Sequence, residues 1–205
     1  MIYSPSKGFL FVHIYKTGGN SIRRLLEPYD EGYRWYHRLK ASTTKEPVLR
    51  SGRFAKHGFA RQAQEDLGPQ YDQLFRFAFV RNPWDWQLSL YHYILKHPEN
   101  PDHPVVQGLS GFGDYVRWRV DGRVRLLSDF VDDRSGMQIV NFIGRFEHLQ
   151  PDFKQVCLEL SLPQMDLPHL NRGGQRDFRA SYTDSTAALF EHAYQRDILR
   201  FGYEF

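Results

Sequence analysis

The sequence predicts an α/β protein, a single domain built on a central parallel β-sheet flanked by helices. Three observations carry that prediction. Two apolar runs, residues 9–14 (FLFVHI) and 75–80 (FRFAFV), have the length and composition of buried strands. Each leads through a short polar turn into a stretch with helical spacing of apolar residues. Strands and helices then alternate along the chain, a pattern that makes strands parallel and gathers ligands at their carboxyl ends.

The first strand, 9–14, runs into the loop Lys16-Thr17-Gly18-Gly19-Asn20-Ser21, and a helix over 20–27 follows with Ile22, Leu25 and Leu26 on one face. The first N–H groups of a helix have no internal partner, and the aligned peptide dipoles leave partial positive charge there. Gly18 and Gly19 allow close approach of the backbone to a ligand, and Lys16 adds a full charge. The loop therefore reads as a phosphate or sulfate cradle, or as an ordinary strand-to-helix connection in which Asn20 or Ser21 caps the helix. It lacks the G-x-x-x-x-G-K-[ST] spacing of nucleoside triphosphatases, which disfavours a magnesium-dependent kinase.

Further on, a short strand over 54–57 closes on His57, and a helix covers 60–67. The next strand, 76–80, ends at Arg81-Asn82-Pro83-Trp84, where Pro83 suits the first turn of a helix. That helix spans 84–96, with Trp84, Leu88, Tyr91 and Leu95 on an apolar face. Ser89 falls eight positions after Arg81, so a guanidinium at the strand end and a hydroxyl on the helix are set for a phosphate monoester. Residues 97–121, rich in Pro, Gly and aromatics, read as a long loop with a short helix near 112–118, a place for substrate specificity or a surface excursion. A strand over 143–147 and helices over 149–160 and 184–200 complete the pattern.

Length and composition fit one domain spanning residues 1–205. With 41% hydrophobic and 16% aromatic residues the chain can bury a core and is not globally disordered. A net charge of +3 supports anionic ligands without defining a nucleic-acid surface, and no nucleic-acid partner is expected. The one cysteine, Cys157, forms no internal disulfide and shares an apolar pattern with Phe153, Val156 and Leu160, a core position that suits a reducing compartment. No apolar stretch approaches the roughly 20 residues that span a bilayer, and the first apolar run is too short for a signal peptide. The nine histidines show no zinc-site spacing.

FLFVHIYKTGGNSI resembles the 5′-phosphosulfate loop of sulfotransferases, whose carbohydrate-modifying branch commonly reads HIPKTGGTS, and FAFVRNPWDWQLSLYHY resembles the 3′-phosphate motif of the same family. The two motifs stand in the family's order, each on its expected element. Weaker similarity continues through FIGRFEHL (142–149), LPHLNR (167–172) and DILRFGYEF (197–205). Tyr15 departs from the family's usual Pro, and Asn20 from its usual Thr.

The resemblance implies a P-loop-kinase-like sulfotransferase fold and 3′-phosphoadenosine 5′-phosphosulfate (PAPS) as donor, with no metal. It further implies an acceptor hydroxyl, with a carbohydrate favoured. Thr17, Gly18, Gly19, Asn20 and Ser21 would hold the 5′-phosphosulfate, Lys16 would stabilise the leaving phosphate, and Arg81 with Ser89 would bind the 3′-phosphate. His57 is the expected general base, 24 residues before Arg81, near where a catalytic His precedes the 3′-phosphate Arg in cytosolic sulfotransferases; a carboxylate is the alternative, since some carbohydrate sulfotransferases use Glu. Arg172, in the loop Arg172-Gly173-Gly174-Gln175-Arg176, stands where the family often closes over the nucleotide, or simply forms a surface turn. Arg145 and Glu147 match a family pattern, which a buried ion pair explains equally well. Tyr33, Trp35, Tyr36 and His37 are candidates to stack on a sugar or to pack against the sheet. The expected location is cytoplasmic, as in bacterial-type enzymes, with a luminal enzyme cut from its anchor as the other reading. A kinase-like phosphate-binding enzyme and a noncatalytic nucleotide-binding domain are the competing functions; magnesium-dependent ATP turnover separates the first, and loss of turnover with binding kept separates the second. Acceptor identity and oligomeric state are not readable from the sequence.

Overall fold

The computed structural model describes residues 1–32, 54–122, 124–168 and 177–205. The chain divides into two compact units, Met1–Val80 with Ser128–Asn171, and Arg81–Leu127 with Arg172–Phe205.

The first unit contains a four-stranded sheet of order β1-β2-β3-β4, formed by Ile2–Ser4, Phe9–Val12, Phe75–Val80 and Phe142–Arg145. β2, β3 and β4 are parallel, with Phe9 opposite Phe75, Val12 opposite Ala78, and Val80 opposite Arg145. β1 adds an antiparallel edge. Alternation sends Phe9, Phe11, Phe77 and Phe79 to one face. There they share a core with Ile22 and Leu26 of helix α1 (Gly19–Leu26) and with Phe153, Val156 and Cys157 of a later helix, Leu149–Glu159. Leu10, Val12, Ala78 and Val80 alternate to the other face and are also buried, as expected for a parallel sheet covered on both sides. Helix α2 (Ala60–Leu67) lies in the same unit.

The second unit is helical: α3 (Pro83–Lys96), α4 (His103–Gln107), α5 (Phe112–Asp121) and, after α6 (Leu149–Glu159) of the first unit, α7 (Asp184–Phe201). Tyr115, buried on α5, donates its hydroxyl to Gln87 on α3 at 2.8 Å, and Phe190 of α7 stacks on Tyr194. The Thr183 hydroxyl accepts from the Thr186 N–H and caps α7.

Several sequence expectations need correction. Residues 54–57 form no strand; Phe54 lies in a bend, and Lys56 with His57 makes a turn. The first strand stops at Val12, two residues early, and the last strand spans 142–145, followed by a 3-10 turn over Phe146–His148. The apolar face expected on α3 is too narrow, because Trp86, Gln87, Leu90 and Ile94 are buried with Trp84 and Leu88, whereas Tyr91 and Leu95 are half-exposed. Edge strand β1 and helix α4 were not expected. Among the described residues no helix is long and apolar enough to cross a membrane.

Candidate functional site

The loop after β2 is built by its own backbone. Thr17, almost fully buried, donates its hydroxyl to the carbonyl of Ile14 at 2.9 Å and closes the turn. Lys16 (φ 64°) and Gly18 (φ 80°) are left-handed, interleaved with ordinary residues, a pattern that turns successive N–H groups to one side as in anion-binding nests. A left-handed lysine costs roughly 1 kcal/mol, and such strain gathers at ligand clamps.

Gly18 is the N-cap of α1, and no side chain caps the helix, so neither Asn20 nor Ser21 has the capping role open to it in the sequence. Ser21 instead donates its hydroxyl to the carbonyl of Pro168 at 2.9 Å, and Asn20 is exposed. The first turn of α1 holds no acidic residue, which leaves its positive end to an external anion.

Both glycines are required by the fold itself. A Cβ on Gly18 would sit 2.6 Å from Leu149 Cδ2, and one on Gly19 would sit 2.2 Å from Cδ2 and 2.3 Å from Nε2 of His13. The protein's own side chains thus fill the space the glycines leave.

His57 sits in its turn with Nδ1 2.9 Å from the main-chain carbonyl oxygen of His13. A carbonyl only accepts, so Nδ1 carries the proton and Nε2 keeps the lone pair. Burial lowers the His57 pKa from 6.5 to about 4, so the ring is neutral at pH 7. The rings of His13 and Tyr15 stand edge-on to it, with centroids 4.5 and 5.9 Å away. Tyr15, the departure from the family's Pro, therefore packs on the candidate base. Lys56 beside it is exposed, and Glu147, a carboxylate of the family pattern, is exposed on its 3-10 turn. Arg145 donates its backbone N–H to Asp152 at 2.6 Å.

In the second unit, Asn82 caps α3, its side-chain oxygen accepting from the Trp84 N–H at 3.1 Å, and its amide donates to the carbonyl of Glu204 at 2.9 Å. Pro83 takes the first helical position, as its fixed φ favours. Nε and Nη2 of Arg81 both reach Oδ2 of Asp85 at 2.7 Å. Arg81, Asp85 and Ser89 are half-buried positions four apart, with 82–84 and 86–88 buried between them. They align along one side of the start of α3.

Arg172 and Arg176 lie outside the described residues, as do Tyr33, Trp35, Tyr36 and His37. Sequence reasoning missed two residues of these sites. Asp85 was legible as an i,i+4 partner of Arg81; His13 was hidden as one polar member of an apolar run. Cys157 is buried and its thiol is pushed up by burial, a core side chain as expected. Among the described residues no three His, Cys, Asp or Glu side chains gather into a metal-binding group.

A parallel sheet whose strand β2 opens into a left-handed, glycine-bearing loop at an uncapped helix N-terminus defines a phosphate-loop type of α/β protein. The chain matches the sulfotransferase family over residues 1–204 and belongs to that family. Among solved structures, it shares the fold of mouse sulfotransferase SULT7A1 complexed with PAP, at 14% identity and a TM-score of 0.61 over 96% of this chain and 86% of that one. Comparison with curated proteins gives no match.

Proposed function

We propose that the chain is one catalytic domain that transfers the sulfuryl group of PAPS to an acceptor hydroxyl, favouring a carbohydrate, and releases 3′,5′-adenosine bisphosphate (PAP). The observation that carries the proposal is the hydrogen bond from His57 Nδ1 to the His13 carbonyl, which leaves the Nε2 lone pair available on a ring that burial keeps neutral. Membership of the sulfotransferase family and a PAP-bound structural neighbour support the donor.

PAPS supplies an activated sulfuryl group with a bisphosphate leaving group. The acceptor oxygen bonds to sulfur as the bond from sulfur to the phosphate oxygen breaks, and the acceptor proton passes to Nε2 of His57. Lys16 stabilises the negative charge growing on the leaving phosphate, and N–H groups of Thr17 to Ser21 hold its oxygens. The left-handed residues at 16 and 18 and the absence of acidic residues in the first turn of α1 suit that anion. Arg81 and Ser89 take the 3′-phosphate, with Asp85 holding the guanidinium, and Arg172 adds a contact on family resemblance. Such donors suffice without a metal. The carbohydrate acceptor and a cytoplasmic location rest on resemblance to the carbohydrate-modifying branch and to bacterial-type enzymes.

Calorimetric titration with PAP and with ATP, each with and without magnesium, tests the proposal. Preference for PAP supports it. No binding, or a magnesium-dependent preference for ATP, overturns it in favour of a kinase-like enzyme.

A further inference from the structure

The imidazole of His13 is almost fully buried, lies over the ring of Phe11 at 5.5 Å with 16° between planes, and meets the His57 ring edge-on at 4.5 Å. Its other side abuts α1, since a Cβ on Gly19 would fall 2.2 Å from its Cδ2. Its carbonyl accepts a hydrogen bond from the His57 Nδ1–H. One residue thus touches both the turn that bears His57 and the first helical residue of the glycine loop. Its own Nδ1 is buried without a hydrogen-bond partner among the described residues, a cost in stability that a hydrocarbon side chain there would avoid.

We propose that His13 is a positioning residue that couples the base to the phosphosulfate loop, its carbonyl orienting the His57 ring and its imidazole setting the place of Gly19. The proposal rests on the roles given above to His57 and to the loop. Two contacts give it two separable consequences. The carbonyl fixes the His57 tautomer only while the end of β2 is held in place, and the ring wedged between Phe11 and Gly19 is what holds it. The same ring leaves no room for a side chain at 19, so occupying that room must displace either the ring or the start of α1, where the N–H groups meet the anion.

The test needs no acceptor. PAP affinity is measured by calorimetry for wild type, Gly19→Ala, His13→Ala and the double variant. The His57 tautomer is read from ring 15N shifts, assigned with His57→Gln. Gly19→Ala is expected to weaken PAP binding about tenfold in the wild-type background and by less than about twofold in His13→Ala, the signature of coupled neighbours. His57 is expected as a single Nδ1–H tautomer in wild type and as a mixture in His13→Ala. If His13→Ala fails to fold, His13→Asn replaces it, since it keeps half the ring's bulk. Equal harm from Gly19→Ala in both backgrounds, or an unchanged tautomer without the imidazole, overturns the proposal. Failure of the wild type to bind PAP is a different result, which overturns the nucleotide reading and the coupling to the loop that rests on it.

Discussion

Arg81 and Asp85 form an ion pair in which two guanidinium nitrogens, Nε and Nη2, each lie 2.7 Å from one carboxylate oxygen. Their side chains are only 14% and 23% exposed, so the pair is worth more than a surface contact, and breaking it leaves a half-buried charge. Arg81→Ala should therefore do two things at once. It should weaken PAP binding by about 2–4 kcal/mol through loss of a charge-assisted phosphate contact. It should also lower stability by roughly 1–2 kcal/mol, because Asp85 loses its partner. Arg81→Ala/Asp85→Ala should recover most of the stability and none of the affinity, as denaturant melts and calorimetry would read; recovery of affinity in the double variant would mean that Arg81 is no phosphate ligand.

The paired histidines give the protein a pH dependence of definite sign. Burial lowers the His57 pKa from 6.5 to about 4 and holds that of His13 well below its ordinary value. Unfolded, these rings take up protons as pH falls through about 6.5; folded, they resist it, so unfolding is favoured by acid. Their contribution is complete above about pH 7 and is lost as pH falls toward 4. Between pH 7 and 5 the stability of wild type should drop by about 1–2 kcal/mol more than that of His57→Gln. Equal drops in urea melts would contradict the burial of the His57 ring.

Gly18 combines a left-handed backbone with a close approach to Leu149. Gly18→Ala should cost about 2–3 kcal/mol, from αL strain and from displacing a packed leucine. Adding Leu149→Ala should not recover the strain part, so a double variant as stable as Leu149→Ala alone would show that the φ at 18 is unimportant.

Cys157 is fully buried and its thiol is pushed up by burial. An aromatic disulfide reagent should label it only as fast as the core opens, with native-state labelling rising alongside denaturant. Rapid stoichiometric labelling of the native protein would refute the packing of α6 on the sheet.

The parts of the fold that were legible have length or periodicity. Phe75–Val80 and Ala60–Leu67 fall where the pattern puts them, and Pro83 announces the start of α3. Strand β1 is three residues long and forms by pairing with β2, so no period could reveal it. The apolar start of 54–57 imitates a strand, but the residues turn so that His57 can bond the end of β2. The glycine loop was visible as a composition, whereas the reason for its glycines was not: His13 and Leu149 reach Gly19 and Gly18 through tertiary packing, which spacing does not encode.

The most direct test of the proposed chemistry is transfer of labelled sulfate from PAPS to a panel of sugar acceptors by wild type and by His57→Ala, with PAP affinity measured on both. The expected result is transfer by wild type, a loss of roughly 100-fold or more in His57→Ala, and nearly unchanged PAP binding. Equal rates in the two proteins, or loss of PAP binding together with turnover, would contradict His57 as the base.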